Sequence, residues 1–135
     1  MAALPSLLIG GVAFKLSPEP ALWPVHAQVL FAVGGVIAVV SFLFLGKSFS
    51  ILPALRNIVI KGPYRFTRHP AYLGELAMVL ACALAKPSYL NAIPFVIGVP
   101  LIIVRILAEE RLLESDKRYL EYTRKVRFRL VPLIW

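Results

Sequence analysis

The run from Ala27 to Gly46 contains no charged side chain and is long enough to cross a bilayer, which takes about 20 helical residues. Nothing else in the chain constrains its fold as strongly. Gly34 and Ala38 lie four apart within it, on one helix face, and permit a second helix to approach closely. Composition points the same way. A chain of 135 residues that is 59% hydrophobic, with mean hydropathy +0.79, carries more apolar surface than a soluble domain of its size could bury. We therefore read an all-α integral membrane bundle, a single domain over 1–135 with its core in 40–135.

The remaining segments fit around that span. Residues 4–14 form a short apolar helix, which Lys15 lengthens by snorkelling, and no basic n-region or cleavage site marks it as a signal peptide. Pro18, Pro20 and Pro24 predict an extended connection in which Trp23 is an interfacial anchor. Lys47 to Lys61 has no clean period and reads as an interfacial connector. Leu73–Ala85 and Asn91–Val104 make a helical hairpin about the turn Lys86–Tyr89, its second arm interrupted by Pro94 and Pro100. From Arg105 the chain is charged, and Glu114/Arg118 and Glu121/Lys125 have the i,i+4 order of one exposed helix with Leu112, Leu113 and Leu120 as its apolar stripe. Arg127, Arg129 and Pro132 end that helix, and Val131–Trp135 dips back to the interface. This makes about four membrane segments and a C-terminal cytoplasmic helix.

The net charge of +8 is distributed in blocks. Five of the 15 Lys and Arg lie in 47–72 and eight in 105–135, with only Lys15 and Lys86 elsewhere. Both blocks must share one face, and the positive-inside tendency makes it cytoplasmic. The same placement favours lipid headgroups over nucleic acid as the partner of this charge. Cys82, the only cysteine, excludes an internal disulfide and a cysteine-based metal site; we expect no metal.

Between the apolar segments lies Gly62-Pro63-Tyr64-Arg65-Phe66-Thr67-Arg68-His69-Pro70-Ala71-Tyr72-Leu73-Gly74-Glu75. The prolines predict an ordered turn over Thr67–Ala71 and a helix starting near Tyr72. Arg68, His69 and Tyr72 bring guanidinium, imidazole and phenol beside helix-start N–H groups, a pocket for a small ligand carrying a carboxylate. The plainer reading of the same residues is a basic loop against lipid headgroups. Glu109 and Glu110 stand at the base of the last apolar helix, pointing about 100° apart, so they cannot do the same job. They are either solvated acids at a helix exit or, for the one facing inward, part of a site; Glu75, early in an apolar helix, is a further candidate.

Arg68-His69-Pro70-Ala71-Tyr72, a hydrophobic hairpin and Glu109-Glu110 together resemble the RHPxY–hydrophobic–EE signature of integral-membrane methyltransferases. That group includes isoprenylcysteine carboxyl methyltransferases and phospholipid N-methyltransferases. Gly62-Pro63-Tyr64-Arg65, Tyr119-x-x-Tyr122, Arg127-x-Arg129 and Pro132 extend the resemblance over roughly residues 40–135. It implies an S-adenosylmethionine-dependent enzyme of the prokaryotic cytoplasmic membrane that methylates a carboxylate, amine or thiol of a lipophilic acceptor. It also implies that Tyr64, Arg68, His69, Pro70, Tyr72, Glu109 and Glu110 bind the cofactor, and that Glu110 and Arg127 serve catalysis. Acceptor entry is expected laterally, between the 91–104 and 27–46 helices.

Two other readings compete. Membrane reductases of the sterol type, which use NADPH, resemble the chain around RHPxY. A non-catalytic protein whose basic face binds anionic lipid accounts for the charge alone.

Overall fold

The computed structural model of the chain describes residues 4–46, 58–86, 88–132 and 134–135. Among these residues it has five α-helices and no strand: α1 (Leu4–Leu16), α2 (Val25–Leu45), α3 (Pro70–Ala85), α4 (Tyr89–Leu113) and α5 (Lys117–Lys125). Short 3₁₀ turns at Pro20–Leu22 and Gly62–Arg65 introduce α2 and the polar stretch. The connector read over Lys47 to Lys61 lies largely outside the described residues.

Helices α2 and α4, of 21 and 25 residues, are long and apolar enough to cross a membrane. Most of their apolar side chains, among them Val29, Val33, Val36, Val96 and Val104, are exposed, as on helices that face lipid. Helices α1 and α3 have 13 and 16 residues, short of the roughly 20 that a span needs.

The hairpin's second arm is longer than its prolines suggest. α4 continues through Pro94 and Pro100 to Leu113, so Arg105 and both glutamates belong to the apolar helix itself. Helices at membrane depth tolerate proline where neighbouring groups take up the freed carbonyls.

The most extensive helix contact is between α2 and α3, and small residues make it possible. A Cβ built on Gly34 would lie 2.8 Å from the Gly74 carbonyl oxygen. One on Gly74 would lie 2.5 Å from the Gly34 oxygen and 2.7 Å from the Ala38 nitrogen. The two backbones thus touch, as the spacing of Gly34 and Ala38 anticipates. α1 and α4 pack on α3 as well, whereas α2 and α4 scarcely meet. The space between α2 and α4, where lateral entry of the acceptor is expected, is bordered by α3, which packs against both.

Three other expectations change. Trp23 is buried, not interfacial: its Nε1 donates to the Pro18 carbonyl at 2.7 Å and its ring lies edge-on to Phe31 and Phe14. Trp23 joins Ala13, Ala27 and Cys82 in the core with Phe31 packed against them, while Phe14 stays exposed at the edge. α3 starts at Pro70 rather than Tyr72, since proline is well accommodated at the first helical position while His69 before it, at φ -128° and ψ 57°, stays outside the helical region. The charged C-terminal helix is two helices. Asp116 caps α5 by accepting from the Arg118 N–H at 2.8 Å and pairs with the Arg118 guanidinium at 2.8 Å, displacing the Glu114/Arg118 pair. The face of α5 turned inward carries Tyr119 and Tyr122, while Leu112 and Leu120 are exposed.

Candidate active site

Three distant segments converge at the basic end of the bundle. The turn before α3 is held open by prolines, so its backbone N–H groups are free to pair elsewhere. Arg68 N–H donates to the Phe128 carbonyl and His69 N–H to that of Arg129, each at 2.9 Å. The C-terminal segment thereby runs alongside the turn. It then folds back, with the N–H groups of Arg129 and Leu130 both donating to the Trp135 carbonyl at 2.9 Å, and Val131 and Trp135 pack on the cluster of Ile102, Ile106 and Leu130.

Glu110 is the centre of this junction and is 2% exposed. Arg68 Nη1 reaches its Oε1 at 2.8 Å, Arg129 Nε donates to Oε2 at 2.7 Å, and His69 Nε2 lies 3.3 Å from Oε1. A carboxylate so enclosed is tolerated only because two guanidinium groups and a ring nitrogen meet it. Arg68 is further held by the Arg127 carbonyl, which accepts from Nη2 at 2.9 Å.

Glu109, one residue earlier, is half-buried and differently engaged. It accepts from the Tyr72 hydroxyl at 3.1 Å. That hydroxyl accepts in turn from Arg105 Nε, and the Arg105 guanidinium stacks 5.4 Å from the Tyr72 ring centroid. The divergence of the two glutamates read from helix geometry is thus realised: Glu110 faces the junction and Glu109 the α3/α4 seam.

Tyrosines wall the site. Tyr122 donates to the Tyr64 carbonyl at 2.8 Å, tying α5 to the 3₁₀ turn, and Tyr64, Tyr119 and Tyr122 are all buried. Burial pushes each phenol well above its ordinary pKa, and the charge of Glu109 beside Tyr64 and of Glu110 beside Tyr119 adds to the shift. At neutral pH they are therefore hydrogen-bond donors and not bases. The Tyr119 hydroxyl and Arg68 Nε are buried near each other without meeting hydrogen-bond geometry to any described group.

Of the residues singled out in the sequence, Tyr64, Arg68, His69, Pro70, Tyr72, Glu109 and Glu110 come together here. Arg127 does not: its side chain is exposed and only its carbonyl takes part, while Arg129 supplies the second guanidinium. Arg105 and Tyr119 were missed as site residues. An arginine at the end of an apolar helix and the i,i+3 spacing of Tyr119 and Tyr122 were the available signals. Glu75 is buried in α3. No cluster of His, Cys, Asp and Glu suited to a metal ion occurs among the described residues.

No curated protein and no solved structure matches the chain. The family profile described as phospholipid methyltransferase matches residues 23–118, which take in α2, the polar turn, the hairpin and both glutamates, and the chain belongs to that family.

Proposed function

We propose that the protein transfers a methyl group from S-adenosylmethionine to a lipophilic acceptor at the cytoplasmic face of the membrane, with the cofactor held at the Glu110 junction. The observation that carries this reading is the convergence of Arg68, His69, Glu110 and Arg129 into one buried polar site at the basic end of an otherwise apolar bundle. When bound, the cofactor would supply an electrophilic methyl on a sulfonium, which a carboxylate, amine or thiol of the acceptor would attack in line as the S–CH3 bond breaks and S-adenosylhomocysteine leaves.

The residues suit such a ligand. Arg68 Nε and the Tyr119 hydroxyl are buried donors still able to accept a carboxylate as partner. His69, with one ring nitrogen turned to Glu110, keeps the other for the ligand's amino-acid end, where Tyr64 adds a neutral phenol. Glu110 is fully occupied by its cations, so its role is to orient Arg68 and His69. Glu109 Oε1 makes no hydrogen bond to a described residue, which favours Glu109 as the group that takes up the ammonium or ribose. Methyl transfer to a carboxylate needs no general base, so positioning and electrostatics carry the rate.

The test is binding of S-adenosylhomocysteine to purified protein in detergent, followed by transfer of labelled methyl to candidate acceptors. His69→Ala is expected to abolish cofactor binding while the protein remains inserted and folded. Full affinity in that variant would overturn the assignment, and binding of NADPH in its place would return the reductase reading.

A further inference from the structure

Arg129 has two unlike partners. Its Nε donates to Glu110 at 2.7 Å, and its guanidinium carbon lies 5.4 Å from the centroid of the Trp135 ring. The arginine is about one-third exposed, so water competes for it along its outer side. A guanidinium in that position has several rotamers available and gains only modestly from a single hydrogen bond. Trp135 is itself fixed. Its carbonyl accepts from the N–H groups of Arg129 and Leu130, and its ring packs against the Ile102, Ile106 and Leu130 cluster, where Tyr72 and Leu73 also sit.

We infer that Trp135 is a positioning residue: its ring holds the Arg129 guanidinium on Glu110 and thereby fixes the carboxylate that orients Arg68 and His69. The chain of contact runs from the apolar seam of α3 and α4, through indole and guanidinium, to the buried acid. Indole presents the strongest cation-binding face of the natural side chains, and the planar guanidinium can stack on it while its Nε still donates in-plane. The fold-back of residues 129–135 thus acts as a clasp, tying the polar junction to the bundle. For its effect on the cofactor the inference rests on the function proposed above.

The experiment compares W135F, which keeps an aromatic face, with W135L, which keeps apolar bulk and loses the face. S-adenosylhomocysteine affinity is read for each in the wild-type and R129Q backgrounds, and solvent exchange of the Arg129 Nε–H is read in nitrogen-15 spectra of the detergent-solubilised protein in the wild-type background. W135L is expected to weaken binding by about three- to tenfold, in the range of a partly exposed cation–π contact, and to speed Nε–H exchange. W135F should retain most of both. In the R129Q background W135L should change affinity by less than about twofold, because the partner it acts through is gone. An Nε–H exchange rate unchanged in W135L, or an equal loss of affinity with and without Arg129, would overturn the positioning role. Absence of binding to the wild-type protein would instead overturn the cofactor reading, with the exchange measurement still deciding whether Trp135 orders Arg129.

Discussion

The α2/α3 seam and the Glu110 junction are both buried and both join distant parts of the chain, yet they are built by opposite means. At the seam, Gly34, Gly74 and Ala38 matter for what they lack, since backbone atoms lie where a Cβ would stand. At the junction, every residue matters for the charge or hydrogen bond that it brings. A seam of this kind is sensitive to volume and indifferent to polarity. The junction is sensitive to charge, because removing one partner leaves the others buried and uncompensated.

Five substitutions probe that contrast and its surroundings. Glu110→Gln should cost the most, about 3–5 kcal/mol of stability, by leaving Arg68 and Arg129 without their counter-ion. Glu109→Gln, half-buried where α4 meets Tyr72 of α3, should cost less than about 1 kcal/mol as an exposed pair would, and should act mainly on cofactor affinity. Equal losses in the two, measured by denaturant unfolding in detergent, would break the distinction between the glutamates.

Gly74→Ala should destabilise by about 1–3 kcal/mol through overpacking against the Gly34 and Ala38 backbone. Its folded fraction should bind S-adenosylhomocysteine with wild-type affinity. A change in affinity without a change in stability would show that the seam is part of the site and not only its support.

Gly62→Ala comes next. Gly62 has φ +60°, and a Cβ there would approach the Phe44 ring to 2.7 Å. The ring can move, so the loss of about 1–2 kcal/mol should come from the backbone, and a Phe44→Ala background should not relieve it. Full rescue by Phe44→Ala would mean that the ring contact, not the backbone conformation, requires glycine.

The smallest effect belongs to the α5 cap. Hydrogen bonds from the Arg118 side chain and then its backbone N–H hold the Asp116 carboxyl below its ordinary pKa. The contribution is therefore complete above the unfolded Asp value of about 3.9 and is lost as pH falls through the lower folded value. Carbon-13 shifts of α5 should report fraying only in that acid range. Asp116→Asn, still a competent cap, should show none of that pH response.

Much of this architecture is legible in the chain alone. Twenty or so uncharged residues make a helix long and apolar enough to cross a membrane, and the two basic blocks, read as sharing one face, meet where Arg68 and Arg129, one from each, bind Glu110. The small residues of α2 announce a close partner, and consecutive glutamates on a helix must diverge. These follow from local geometry and solvation, which depend on neighbours in sequence.

Where pairing across the fold decides, the sequence is silent or misleading. Its basic tail offers Arg127 and Arg129 with nothing to separate them, and only the alignment of the tail with the Arg68–His69 backbone turns Arg129 to Glu110 and leaves Arg127 outside. Helix geometry cannot say which glutamate is buried; the position of α3 against α4 does. Trp23 has the composition of an interfacial anchor and becomes a core residue because Phe14 and Phe31 arrive from two other segments. Local propensity and hydropathy settle which segments are helical and where charge accumulates, whereas the partners of each buried charge are set by contacts between residues tens of positions apart, whose energy exists only once the bundle has formed.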